Sequence, residues 1–228
     1  KFSAARDEGF ETDSTPGVKK LFHPGSGVGF KPLVPRCGEF FHYKVVRSQD
    51  LHLGKDVLGL DLGFGNKHFP DFTLRNLKEG EILHVVRTKK SSTGDSYRFE
   101  RAKPSVNRTP SGTFFHTYQA WVKNVVDDDT LWTEIDVGFR NTAEQKLRLR
   151  GINAAEIEKA KPASDFVKRT LAKVPFVVLS ILGRDKFGRP LTDLFYLEGT
   201  DDRDKVAREG IYLNQQLLDL GLAVRMDD

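Results

Sequence analysis

Between Val125 and Glu156 the chain gathers carboxylates, arginines and an amide at short spacing, in the stretch VVDDDTLWTEIDVGFRNTAEQKLRLRGINAAE. Asp127, Asp128 and Asp129 follow the apolar pair Val125 and Val126, so a buried strand is expected to end in a tight acidic turn. Such a turn gathers oxygen ligands of the kind a hard cation takes, and a solvated turn is the plain alternative. From Leu147 to Ile152 apolar and basic residues alternate, which puts Arg148 and Arg150 on the face opposite Leu147 and Leu149, toward a groove or water. All six histidines precede residue 117. This excludes a histidine base from the second half of the chain, where the chemistry is expected to use carboxylates and arginines.

These residues, in this order, resemble the core of the staphylococcal nuclease (thermonuclease) family. The resemblance is carried by Asp-x-Asp-Thr at Asp127, Asp129 and Thr130, by Arg-Leu-x-Gly-Ile-Asn-Ala-x-Glu from Arg148 to Glu156, and by Asp-Lys-Phe-Gly-Arg from Asp185 to Arg189. It covers residues 117–226, and it implies an SNase-like OB-fold β-barrel with packed helices. It also implies a calcium-dependent hydrolase, an endonuclease that cuts phosphodiester bonds of DNA or RNA with little sequence preference.

Phosphodiester hydrolysis needs a neutralised phosphate, an activated water and stabilisation of a five-coordinate anionic transition state. By the resemblance, Asp129, Asn153 and the backbone carbonyl of Ala154 would hold the divalent metal directly, and Asp127 through water. Arg148 and Arg189 would donate forked hydrogen bonds to phosphate oxygens, and Glu156 would act as general base or water-orienting group. Asp185, Lys186 and Phe187 would shape the hairpin that presents Arg189. Three positions depart from the family pattern. Asn153 stands where an aspartate is usual, Asp128 where glycine is usual, and Ala155 where proline is common. The alternatives are a catalytically inactive OB-type protein that binds nucleic acid or a protein partner, and a structural protein with a vestigial site.

The elements that must position this cluster suggest an α+β chain, mainly β. With 228 residues, 38% of them hydrophobic, the chain can bury one large core or two small ones. Its net charge of +4 is uneven. Residues 38–111 hold 13 basic and 9 acidic residues, and residues 112–228 hold 17 and 19. The acidic excess of the second half suits a cation site, and the basic first half suits an anionic polymer. Cys37 is the single cysteine, which leaves no intramolecular disulfide. No apolar run approaches the length of a membrane span. The chain starts at Lys1, so a leader removed upstream, with a secreted or periplasmic location, is the expectation that goes with the resemblance.

Residues 1–37, rich in Pro and Gly, read as an extended arm. From Gly38 onward the sequence repeats itself: GEFFH at 38–42 returns as GTFFH at 112–116, and LDLGFGN at 60–66 as IDVGFRN at 135–141. The offsets suggest an internal duplication, with chance matching in a strand-rich chain as the alternative. Residues 38–111 would then be a degenerate OB-like β-barrel that lacks the acidic turn and the helix expected after Glu156. Within it Lys89, Lys90, Tyr97 and Arg98, with Lys186 from the second unit, form a candidate nucleic-acid-binding set of cations and an aromatic. Residues 103–111 read as a linker, with a glycosylation sequon at Asn107.

In residues 112–228, Ser164 is placed to cap a helix carrying Phe166, Val167, Leu171 and Val174, closed by Pro175. Residues 176–182 then form a buried strand, Asp185–Gly188 a turn, and the residues after Arg189 its partner. Asn214 is placed to cap a last short helix stopped by Gly221. By the resemblance a further helix would follow Met226, and the expectation is that it is missing.

Overall fold

The computed structural model describes residues 32–50, 54–72, 74–89, 94–154 and 157–226. Glu156, Ala155 and Lys90, named above, lie outside the described residues, as does most of the arm. The first unit is one antiparallel sheet. Its strands are β1 (His42–Asp50), β2 (Lys55–Gly63), β3 (Asn66–His68), β4 (Ile82–Lys89) and β5 (Ser96–Arg101), in the order β3-β2-β1-β4-β5. Alternation along β4 buries Leu83 and Val85, the period of a sheet with one wet face. The two edge strands, β3 and β5, are not paired with each other. β3 has only three residues, and among the described residues this sheet is open where a barrel would close.

The second unit closes. β6 (His116–Val125), β7 (Thr130–Gly138) and β8 (Asn141–Leu149) form a meander. They are followed by β9 (Ile152–Ala154), the helix α1 (Ile157–Leu171), β10 (Val177–Arg184) and β11 (Pro190–Tyr196). β10 pairs with both β6 and β11, and β11 runs parallel to β8. The ring β6-β7-β8-β11-β10 is thus a closed five-stranded barrel of OB-like topology. Cut between β8 and β11, it has the same strand order as the first sheet. Leu131, Ile135, Leu147, Leu149, Leu179 and Leu194 fill the interior, each fully buried.

The units meet through a reciprocal pair of tyrosines. The Tyr43 hydroxyl donates to the Val137 carbonyl at 3.0 Å, and the Tyr118 hydroxyl to the Leu62 carbonyl at 2.8 Å. Each carbonyl precedes a left-handed glycine, Gly138 (φ 87°) or Gly63 (φ 81°), whose missing Cβ leaves room for the opposing hydroxyl. Each glycine N–H in turn is held by an aspartate two residues back, Asp136 or Asp61, at 2.9 Å. The hairpin turns that follow put both central residues at positive φ, Phe64–Gly65 and Phe139–Arg140, as the primed turns that match strand twist require. Phenylalanine is strained there. Packing holds it: Phe64 lies 5.5 Å from the Tyr118 ring, and Phe139 lies 5.9 Å from Tyr43 and 3.9 Å from His68.

Several expectations are corrected. α1 begins at Ile157, well before Ser164, so Ser164 is not its cap and Pro162 lies within it. Its buried stripe is Ala163, Val167 and Leu171, spaced four apart on one face. After it come α2 (Arg203–Glu209), β12 (Ile211–Tyr212), α3 (Leu213–Asp219) and β13 (Ala223–Arg225), the last paired with β9. α2 is capped by the Asp202 carboxylate, which accepts from Asp204 and Lys205 N–H. Asn214 sits inside α3 rather than at its cap. It is fully buried and ties the Arg150 and Thr192 carbonyls to the Leu194 N–H. Gly221 does end α3, with φ 66° and a bond from Leu222 N–H to the Leu217 carbonyl. No helix among the described residues is long and apolar enough to cross a membrane.

The described end of the arm, residues 32–37, packs on the barrel. Leu33 is buried against Gly151, and its N–H donates to Gln215 at 2.7 Å. Asn107 is 5% exposed, and its amide donates to the Glu39 carbonyl at 2.8 Å while its oxygen accepts from Glu39 N–H at 2.7 Å. The sequon nitrogen is therefore engaged inside the protein.

Candidate functional site

The acidic turn forms where β6 hands over to β7. The N–H groups of Val126 and Asp127 both bond the Thr130 carbonyl, at 2.9 and 3.1 Å, which folds the three aspartates into a tight loop. Asp128 is not among the left-handed residues of the described chain, so the turn does not demand a glycine there. Asp127 is exposed, whereas Asp128 and Asp129 are buried at 3% and 4%.

Asp129 is the centre of the cluster. One carboxylate oxygen accepts from the Thr130 hydroxyl at 2.7 Å and the other from Arg148 Nη1 at 2.6 Å. Antiparallel register sets Thr130 opposite Arg148, so the β7–β8 pairing itself delivers the arginine to the turn. Arg148 Nη2 then reaches the Asn153 side-chain oxygen at 3.0 Å and the Ile152 carbonyl at 3.2 Å. Arg189 arrives from the other side of the barrel. Its Nη1 donates to Thr130 Oγ1 at 3.2 Å, and its Nε to Asp185 at 2.7 Å.

Asp185 is the hairpin's organiser. Its Oδ1 accepts from the N–H groups of Phe187 and Arg189, at 2.9 and 2.8 Å. Burial alone would raise its pKa, but these donors and the Arg189 charge outweigh that and hold the carboxyl below its ordinary value. Phe187 projects from the turn, 72% exposed, with Lys186 and Arg189 over its ring at 5.1 and 5.6 Å.

Asp129, Asn153, Arg148 and Arg189 therefore converge at one end of the barrel, through Thr130. Asp127 flanks them on the exposed side of the turn. The Ala154 backbone belongs to β9, next to Asn153. Lys89 lies on β4 and Tyr97 and Arg98 on β5 of the first sheet, whereas Lys186 lies in the turn that leads to Arg189. Tyr97 packs on Phe139 at 4.7 Å, and Arg98 is paired with Glu100 at 2.7 Å, so the aromatic of that set is part of the seam between units.

Arg150 does not face water. It is 6% exposed and grips Asp193 with two bonds of 2.6 and 2.9 Å, while also donating to the Val34 carbonyl. β8 ends at Leu149 and the chain turns at Arg150 and Gly151. Strand alternation no longer applies there. Thr130 as the bridge between the two arginines was not foreseen either. The signal was its position directly after the acidic turn, at the first outward place of a strand.

A hard cation takes six to eight oxygens. The oxygens of Asp129 and Asn153 point to one place, which suits such an ion in donor chemistry. In this arrangement that place is held by the Arg148 guanidinium. No group of three or more His, Cys, Asp or Glu side chains close enough to hold a metal occurs among the described residues. The set fits a divalent cation only weakly, with one buried carboxylate, one amide oxygen and Asp127 at the rim.

Fold and site together define an α+β protein on a closed OB-like barrel, with a carboxylate–arginine cluster at one end. Neither a protein-family model nor a curated protein matches the chain.

Proposed function

We propose that this chain is a metal-assisted nuclease that hydrolyses phosphodiester bonds in DNA or RNA, as its likeness to the thermonuclease family implies. The observation that carries the reading is the meeting of Arg148, from β8, and Arg189, from the turn between β10 and β11, around Asp129 and Thr130. Two guanidinium groups so placed can grip a phosphate and gain strength as charge develops on it. Asp129, Asn153 and the Ala154 carbonyl would hold the cation directly, with calcium as the family's ion, and Asp127 through water, once Arg148 leaves the place it holds between Asp129 and Asn153. When bound, such an ion neutralises phosphate charge and makes a nearby water more acidic. Glu156, beyond the described residues, is assigned the role of orienting that water. The first sheet serves as a packing partner. Its matching strand order and the reciprocal tyrosines support the reading that it arose by duplication and lost the chemistry.

Cleavage of single-stranded DNA, duplex DNA and RNA, with calcium, with other divalent ions and with chelator, tests the proposal. The expected result is cleavage that disappears in chelator, in Arg189→Ala and in Glu156→Gln. One observation favours a second reading, a barrel that binds nucleic acid without cutting it: Arg148 is already satisfied by Asp129 and Asn153. Salt-dependent retention of nucleic acid without cleavage under any metal condition would establish that reading.

A further inference from the structure

Both tryptophans of the chain, Trp121 and Trp132, stand on the outer face of the barrel and are 38% and 39% exposed. Register sets the rows of this face. Thr130 lies opposite Arg148, Trp132 opposite Lys146, and Glu134 opposite both Glu144 and Trp121. Arg148, Lys146 and Glu144 share one face of β8 because they alternate with buried Leu147 and Ala143. The row containing Trp132 and Lys146 is therefore the immediate neighbour of the row that holds the arginine cluster. Two residues along a strand advance about 6.6 Å, which suits the reach from a backbone phosphate to an adjoining base.

We propose that this outer face of β7 and β8 is a docking strip for single-stranded nucleic acid, with Trp132 stacking on a base next to the phosphate gripped at Arg148. The inference rests on the nucleic-acid reading above and adds a surface to it. β7 has hydrogen-bonded neighbours on both sides, so no added peptide strand can pair with it, and only side chains are on offer. An indole face accepts any base, which suits binding without sequence preference. In the next row Lys123 pairs with Glu134 at 2.7 Å and approaches Glu144 at 3.8 Å, which offsets part of the acidic charge there. Exposed Lys146 gives the strip a cation beside Trp132, and Arg148 adds to it where a phosphate replaces its contact with Asp129.

The test is binding of a fluorescein-labelled oligothymidylate, followed by anisotropy at low salt with chelator present. The wild-type protein is expected to bind saturably, Trp132→Ala about tenfold more weakly, and Trp132→Phe close to wild type. Lys146→Ala is expected to lower the salt slope by about one. In Trp121→Phe, where Trp132 is the sole tryptophan, its emission should be quenched on saturation. Unaltered binding by Trp132→Ala, no binding by the wild-type protein, or an unquenched Trp132 would overturn the proposal. The two readings separate in the outcomes. Cleavage by wild type with Trp132→Ala binding normally overturns the strip alone, and Trp132-dependent binding with no cleavage in any metal overturns the nuclease alone.

Discussion

Replacing Gly63 by alanine would place a Cβ into the Tyr118 hydroxyl, at a backbone φ of 81°. The left-handed conformation alone costs an alanine about 1–2 kcal/mol, and overpacking adds about 1–3 kcal/mol. Tyr118→Phe removes a buried hydroxyl and leaves the Leu62 carbonyl without that donor, a loss of about 1–2 kcal/mol. Simple addition gives a double variant destabilised by about 5 kcal/mol. The two changes share one space, however. With the hydroxyl gone, the nearest ring atom to the new methyl is Tyr118 Cζ at 3.4 Å, so most of the overpacking vanishes. The double variant should therefore lose only about 3 kcal/mol. Urea unfolding of the four proteins measures this cycle, with the m-value checked for constancy. Gly65→Ala is the control: its φ is 82° and nothing lies within 4 Å of its Cβ, so it should show conformational strain alone. Additivity within about 0.5 kcal/mol would refute the interlock as described. The mirror cycle at Tyr43 and Gly138 should repeat the pattern.

Two other perturbations follow from buried charge. Arg150→Met leaves Asp193 uncompensated in the core and should cost about 3–5 kcal/mol in the same unfolding assay, and a value under about 1 kcal/mol would show that the pair contributes little. His42 and His68 are held below the ordinary value of 6.5, foremost because burial disfavours the cation. The unfolded chain then takes up protons first, so stability is full above pH 6.5 and declines as pH falls below it. Urea midpoints at pH 7.5 and 5.5 should show that decline, and His68→Phe should flatten it. A midpoint indifferent to pH would count against the burial of these rings.

Much of the barrel was legible because its signals are local. Asp185 to Gly188 announces a turn, and the apolar run before it a buried strand. The acidic turn and Arg148 stood out by local pattern and Arg189 by the resemblance, and the chain brings them to one end of the barrel. What the sequence hid depends on distant partners. Arg150 obeys strand alternation in sequence, but the strand stops one residue earlier, and its buried place exists only because Asp193 and Tyr212 meet it there. Asn214 has the chemistry of a cap and is instead a buried tie between two strands and a helix. Pro162 gives no hint that the helix already runs through it. The repeats at 60–66 and 135–141 disclosed two related turns, yet the tyrosines that lock each turn come from the opposite unit.

The parallel pairing of β8 with β11 bears on how the molecule comes into being. It is the seam that closes the barrel, and a parallel neighbour cannot be reached by a hairpin. The chain must first lay down α1 and β10 and return before Arg189 can stand beside Thr130. Helices and hairpins form early and cheaply in such topologies, whereas contacts between segments far apart in sequence come slowly. Thr130 and its two arginines are thus united only when the ring is shut. Any chemistry performed there is a property of the finished barrel, and its onset during refolding marks the moment of closure.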